Sequence, residues 1–182
     1  MTTLALTHAT LLALLVAGPP GPPAHPSRVI QPLDDPTIVA IFDAANTYDI
    51  ESSGLAATKA THADVRDLGR DFANAHTGVR QQGRDLAKKL GVTPTPPKDD
   101  KGARDQAEAM AKLKSAKGDA FDRAYLAHEV AYHKAVIDAI NQTLLPAIKN
   151  AELKAFVLKV APAFQAHLAA AQKLAAKYGA TS

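Results

Sequence analysis

The sequence predicts an all-α protein: a ferritin-like four-helix bundle with a short extra helix in the crossover between its second and third long helices. Three observations predict it. Apolar residues recur at spacings of three and four through four long segments, and no segment shows the alternation of a strand. Alanine, the strongest helix former, is abundant. The first and second long segments are joined by a short connection, as are the third and fourth, while the middle connection is longer. That pattern makes two antiparallel hairpins joined by one crossover.

The 182 residues suffice for one domain with extensions. The absence of cysteine excludes disulfides, thiolate metal ligands and a cysteine nucleophile. The formal net charge of +3 is interspersed along the helices. This describes a solvated surface, not the clustered stripe that nucleic acid requires. No glycine-rich phosphate loop and no GxSxG nucleophile elbow occurs.

Leu11 to Ala17 form an apolar run, extended upstream by Leu4, Ala5, Leu6 and Ala9. It reads as the core of a secretory leader over residues 1–24 and is too short to span a bilayer. No Lys or Arg precedes it, and cleavage after Ala24 fits. The expectation is export to the periplasm or beyond. Residues 25–34 belong to a proline-rich linker that no helix accommodates, and residues 35–179 are expected to form the helical domain.

The first long helix begins at Asp34 or Asp35 with Pro36 in its first turn, and runs to about Ala60. Ile41, Ala44, Tyr48, Glu51 and Leu55 share one face, so Glu51 is expected to point inward. Thr61, with Asp64 three residues on, offers a cap for the second helix. Its stripe is Val65, Leu68, Phe72, His76, Val79, Gly83, Leu86 and Leu90, ended by Gly91 and three nearby prolines. The loop Thr93 to Gly102 precedes a short helix from Arg104 to about Ala116. Asp119, with Asp122, is placed to cap the third long helix, which Pro146 stops near Leu145. Asn150 caps the fourth, with Glu152 in its first turn. Leu153, Phe156, Val160, Phe164, His167, Ala171, Leu174 and Tyr178 form its stripe, Pro162 is expected to kink it, and Gly179 ends it.

Within Phe121 to His133, Glu129 and His133 stand four residues apart on the face that carries Leu126, Val130, Ile137, Ile140 and Leu144. A carboxylate or imidazole on an apolar stripe is costly unless it has a partner. Five such groups occur, at least one on every long helix: Glu51, His76, Glu129, His133 and His167. At about 1.5 Å per residue, His133 and His167 lie at one depth from Asn150, whereas Glu51 and His76 differ by roughly 7 Å measured from Thr61. Whether the two hairpins present their groups at a common level is left open by this arithmetic.

A common partner for the five is a single divalent metal ion. Zinc is the default for imidazoles with a carboxylate, and copper, nickel and iron suit the same set. Di-iron chemistry is disfavoured, because the Glu-x-x-His motif of such centres is absent. Affinity is expected to fall below about pH 6, where imidazoles protonate. His62 is expected to be exposed at a helix start, and His128 to flank the site. Metal buffering, carriage or sensing ranks first as a function. A structural envelope protein with a hydrogen-bonded polar core comes second, and a metal-dependent redox enzyme third.

The sequence resembles a known family. Glu51 with the following LAATKA, the FANAHTGV around His76, the run GDAFDRAYLAHEVAYHK and the terminal FQAHLAAAQKL are similar to the bacterial domain-of-unknown-function family 4142. Phe121-Asp122-x-x-Tyr125 and the three spaced histidines are the most specific parts, and the resemblance spans about Asp35 to Tyr178. It implies a ferritin-like helical fold and a place in the bacterial envelope. Members are often labelled outer-membrane proteins, but nothing here reads as barrel strands. The family usually has Asp before the second-helix histidine, where this chain has Ala75.

Overall fold

A computed structural model describes residues 33–180, and among them the chain is all-α, with no strand. The expected leader and most of the linker lie outside the described residues. Helix α1 spans Asp35–Lys59; the Asp34 side chain accepts from the Thr37 amide, and Pro36 occupies the first turn. Helix α2 spans Ala63–Leu90 and stops at Gly91, whose φ of 64° suits glycine. The cap expected from Thr61 and Asp64 is absent. His62 is the N-cap residue, without a side-chain bond of its own. The amides of Thr61 and His62 instead donate to the two carboxylate oxygens of Asp122, each at 2.8 Å. A neighbouring helix thus caps α2.

Helix α3 spans Lys101–Ser115, beginning three residues before the expected Arg104 because Asp100 caps it through the Ala103 amide. Gln106 fastens α3 to α1 by donating to the Tyr48 carbonyl at 3.1 Å. Helix α4 spans Gly118–Ala139, and Lys117 rather than Asp119 is its N-cap residue. The chain continues through a π turn, Ile140–Leu144, and a last turn, Leu145–Ala147. Pro146 has no amide to donate, and the helix widens just before it, with the Leu145 amide reaching Ile140. Helix α5 spans Ala151–Tyr178, capped by Asn150, which accepts from the amides of Glu152 and Leu153. Pro162 lies within it, and Gly179 (φ 64°) ends it.

Helices α1 and α2 pack together, as do α4 and α5, while α3 touches α1 and α4. Two apolar clusters form the core. One gathers Ile38, Phe42, Leu144, Leu153, Val157 and Phe164. The other gathers Ala56, Val65, Phe72, Phe121, Leu126 and Ala171. On each of the four long helices a polar position falls between the two: Asn46 to Ser53 on α1, His76 on α2, Glu129 and His133 on α4, and His167 on α5. The domain therefore carries a polar layer across its middle. Among the described residues no helix is long and apolar enough to cross a membrane.

Candidate metal centre

The polar layer is closed to solvent except at His167, which is half-buried. Asn46, Asp49, Ser52, Ser53, Glu129 and His133 are 0% exposed and His76 is 2% exposed. Of the five expected residues, four meet: His76, His133 and His167 form one group and Glu129 joins His133. Glu51 does not. It lies on the exposed face of α1, where Gln106 Nε2 donates to its Oε2 at 3.2 Å. Asp49 takes the inward position. Two steps of about 100° separate Asp49 from Glu51, so if one faces the core the other faces away.

His76 Nε2 stands 3.1 Å from His167 Nδ1 and 3.3 Å from Asp49 Oδ2. His133 Nε2 stands 3.5 Å from the same Asp49 oxygen. The far sides of two rings are fixed: His76 Nδ1 meets Asn46 Oδ1 at 2.9 Å, and His133 Nδ1 meets the Glu129 carbonyl at 3.1 Å. Asn46 Oδ1 and a carbonyl can only accept, so each ring carries its proton on Nδ1 and turns the Nε2 lone pair into the layer. Ser53 donates to Asp49 Oδ1 at 3.0 Å and Ser52 to Glu129 Oε1 at 2.9 Å. Ser53 Oγ also meets the Tyr125 hydroxyl at 3.0 Å. Each carboxylate thus has one oxygen held by a serine. Asp49 Oδ2, Glu129 Oε2 and His133 Nε2 are buried with no hydrogen-bond partner. Glu129 Oε2 is 3.4 Å from His133 Nδ1, beyond the carbonyl contact that the ring already makes.

Burial sets the charge state. It lowers His76 to about 3 and His167 to about 4, with neighbouring imidazoles adding to the effect. It lowers His133 too, against the opposing charge of Asp49. It raises Glu129 to about 8 and Asp49 well above the usual carboxylate range, the latter also through the charge of Glu129. At neutral pH the imidazoles are neutral donors, and it is the carboxyl pair that holds a proton. Burial thus favours neutral imidazoles over the range in which an exposed histidine titrates.

His128 flanks the layer without joining it. It stacks on Tyr132 with ring centroids 5.6 Å apart and is lowered to about 4 by burial. His62 is half-buried and engaged with Asp122 Oδ2 at 2.7 Å, far from the core histidines in the fold. Asp49, Asn46, Ser52 and Ser53 escape an apolar-stripe search because they themselves make the buried face of α1. Depth would have found them. Asn46 lies fifteen residues before Thr61 and His76 fifteen after it, which places the two at one level of the α1–α2 hairpin.

The family model described as "Domain of unknown function (DUF4142)" matches residues 19–174. No curated protein matches the chain. Among solved structures, a chain described as "CopM in the Cu(II)-bound form" superposes with a TM-score of 0.61, covering 80% of this chain and 98% of that one at 14% identity. This is a likeness of fold.

Proposed function

The chain belongs to the DUF4142 family, and on that premise we propose that it takes one divalent transition metal into its polar layer, copper(II) ahead of zinc, to buffer or carry it. The observation that carries this reading is the pair His133 Nε2 and Asp49 Oδ2. Both are buried without a hydrogen-bond partner; Asp49 Oδ2 stands beside His76 Nε2 and His133 Nε2, and His133 groups with His76 and His167. Burying a polar atom unsatisfied costs about 1–3 kcal/mol, and a cation satisfies several such atoms at once. Three imidazoles, with the Asp49 carboxylate beside two of them, suit Cu(II) or Zn(II).

Charge points the same way. Asp49 and Glu129 together carry two negative charges when ionised, and one divalent ion offsets both. Copper(II) ranks above zinc because N/O sites bind it more tightly in the Irving–Williams order. The copper-bound state described for the structural neighbour accords with that ranking. The ferritin-like four-helix arrangement and export of the mature chain belong to the same reading. The leader-like run before Arg28 supports export.

The test is elemental analysis and calorimetric titration of the purified chain with Cu(II), Zn(II), Ni(II) and Fe(II). One equivalent of Cu(II) is expected, with electron paramagnetic resonance showing coupling to imidazole nitrogens. Failure of all four metals to bind, or to raise the melting temperature, leaves a hydrogen-bonded structural core and overturns the reading.

A further inference from the structure

A closed metal site needs a route to solvent, and the three histidines are not equivalent in this respect. His76 and His133 are 2% and 0% exposed, whereas His167 is half-buried on α5. Its ring stacks on Phe72 of α2 with centroids 4.3 Å apart, and its Nδ1 meets His76 Nε2 at 3.1 Å. Two imidazoles thus lead from the outer edge of the α2–α5 seam to the centre of the layer.

That seam is tied at its ends. Lys89 pairs with Glu152 at one end, and Lys177 and Tyr178 bond Asp64 at the other. Between them, among the described residues, the only hydrogen bond or ion pair across it is that of His76 with His167. Small side chains lie next to both histidines in the chain: Ala75 precedes His76 on α2, and Ala163 and Ala170 lie one turn to either side of His167 on α5. The two seams that α1 makes are held near this level. The Tyr132 hydroxyl donates to the Ala45 carbonyl at 2.7 Å across α1 and α4, and Gly69 lets α2 close tightly on α1. Asp71 lies one turn before Ala75 on the same edge of α2, exposed, next to Phe72, and its charge acts on the His167 ring.

We propose that divalent cations enter and leave the core through the α2–α5 seam, received by His167 and drawn there by Asp71. The inference rests on the core site proposed above. A carboxylate at the mouth of a channel raises the local cation concentration and so the association rate, an effect that salt screens.

Stopped-flow association with Cu(II), and dissociation into a chelator, test this on the full chain. Asp71→Asn is expected to slow association roughly three- to tenfold at low ionic strength, with the difference fading toward about 0.5 M salt. Glu108→Gln, on the exposed surface of α3, is the control and leaves both rates unchanged. Ala75→Phe fills the seam and is expected to slow association and dissociation by similar factors, leaving the equilibrium affinity within about twofold, as blocking a route rather than a site requires. If Ala75→Phe fails to fold, the Asp71 result decides alone, since that side chain is exposed. Metal binding by the wild-type chain with an association rate unchanged by Asp71→Asn overturns the route while sparing the core site. A wild-type chain that binds no metal overturns both.

Discussion

Asp49 Oδ2 stands 3.3 Å from His76 Nε2 and 3.5 Å from His133 Nε2, so one carboxylate oxygen serves two imidazoles that come from different helical hairpins. Asp49→Asn tests what that oxygen is for. An asparagine amide can donate to one of the facing lone pairs while keeping the bond from Ser53. The metal-free protein is expected to gain about 1 kcal/mol. The same change removes an anionic donor, so metal affinity should drop about a hundredfold. Thermal melts with and without Cu(II) read both effects. A metal-free protein that loses stability would show that Asp49 is held by the fold rather than by a cation.

Glu51 and His62 provide the contrast. Glu51→Ala should leave the metal-induced rise in melting temperature intact, because its carboxylate faces solvent beside Gln106. His62→Ala should lower the melting temperature of metal-free and metal-loaded protein alike. It removes the His62 ring's bond to Asp122 and its contact with Tyr178 but touches no core donor. Loss of the metal-induced shift in either variant would mean that the binding site lies elsewhere.

What could be read from the sequence divides along physical lines. Gly91, Gly179 and Asn150 were legible as helix ends because a cap is a local event, decided within a few residues. His76, His133 and His167 were legible because each interrupts an otherwise apolar stripe. The face of α1 was not, because Asn46, Asp49, Ser52 and Ser53 make its buried side polar, and hydropathy then marks the neighbouring face of Ile41, Tyr48 and Glu51. The cap of α2 was not legible either: Asp122 reaches it from sixty residues away in the chain, and its partners exist only after the hairpins meet.

Metal-free stability should pass through a maximum near pH 6.5, where the two histidine slopes balance that of Glu129. His76 and His167 ordinarily titrate at 6.5 but hold folded values of about 3 and 4. The unfolded chain therefore takes up their protons first, so their contribution is complete above about pH 6.5 and is lost as pH falls. Glu129 is shifted the other way, from 4.5 to about 8. Its contribution is complete below about pH 4.5 and is lost as pH rises to about 8. Glu129→Gln should weaken the alkaline decline, leaving the part due to Asp49, and excess Cu(II) should weaken it by replacing the carboxyl proton. Melting curves from pH 4 to 9, with a chelator and with metal, check this. A flat alkaline limb in the metal-free wild type would contradict it.

Gly69 sets how closely α2 approaches the polar layer. A Cβ built on it would lie 2.7 Å from the Ser53 carbonyl oxygen and 2.8 Å from the Ala57 amide nitrogen. Both are backbone atoms, so nothing flexible can give way and the two helices must separate. Gly69→Ala is expected to cost about 1–3 kcal/mol despite the better helix propensity of alanine. Ser53 is the residue displaced, and Ser53 Oγ holds Asp49 Oδ1 at 3.0 Å, so Asp49 Oδ2 loses its aim toward His76 and His133. Metal affinity should therefore fall together with stability, and the fall should persist at temperatures well below the melting transition, where the protein is folded. Gly54→Ala on α1 is the matched control. Nothing lies within 4 Å of a Cβ there, and the substitution should stabilise by about 0.5–1 kcal/mol with metal binding unchanged. If Gly69→Ala binds Cu(II) as tightly as the wild type, the α1–α2 approach does not position Asp49, and the carboxylate is held by Ser53 through some freedom that the close packing does not suggest.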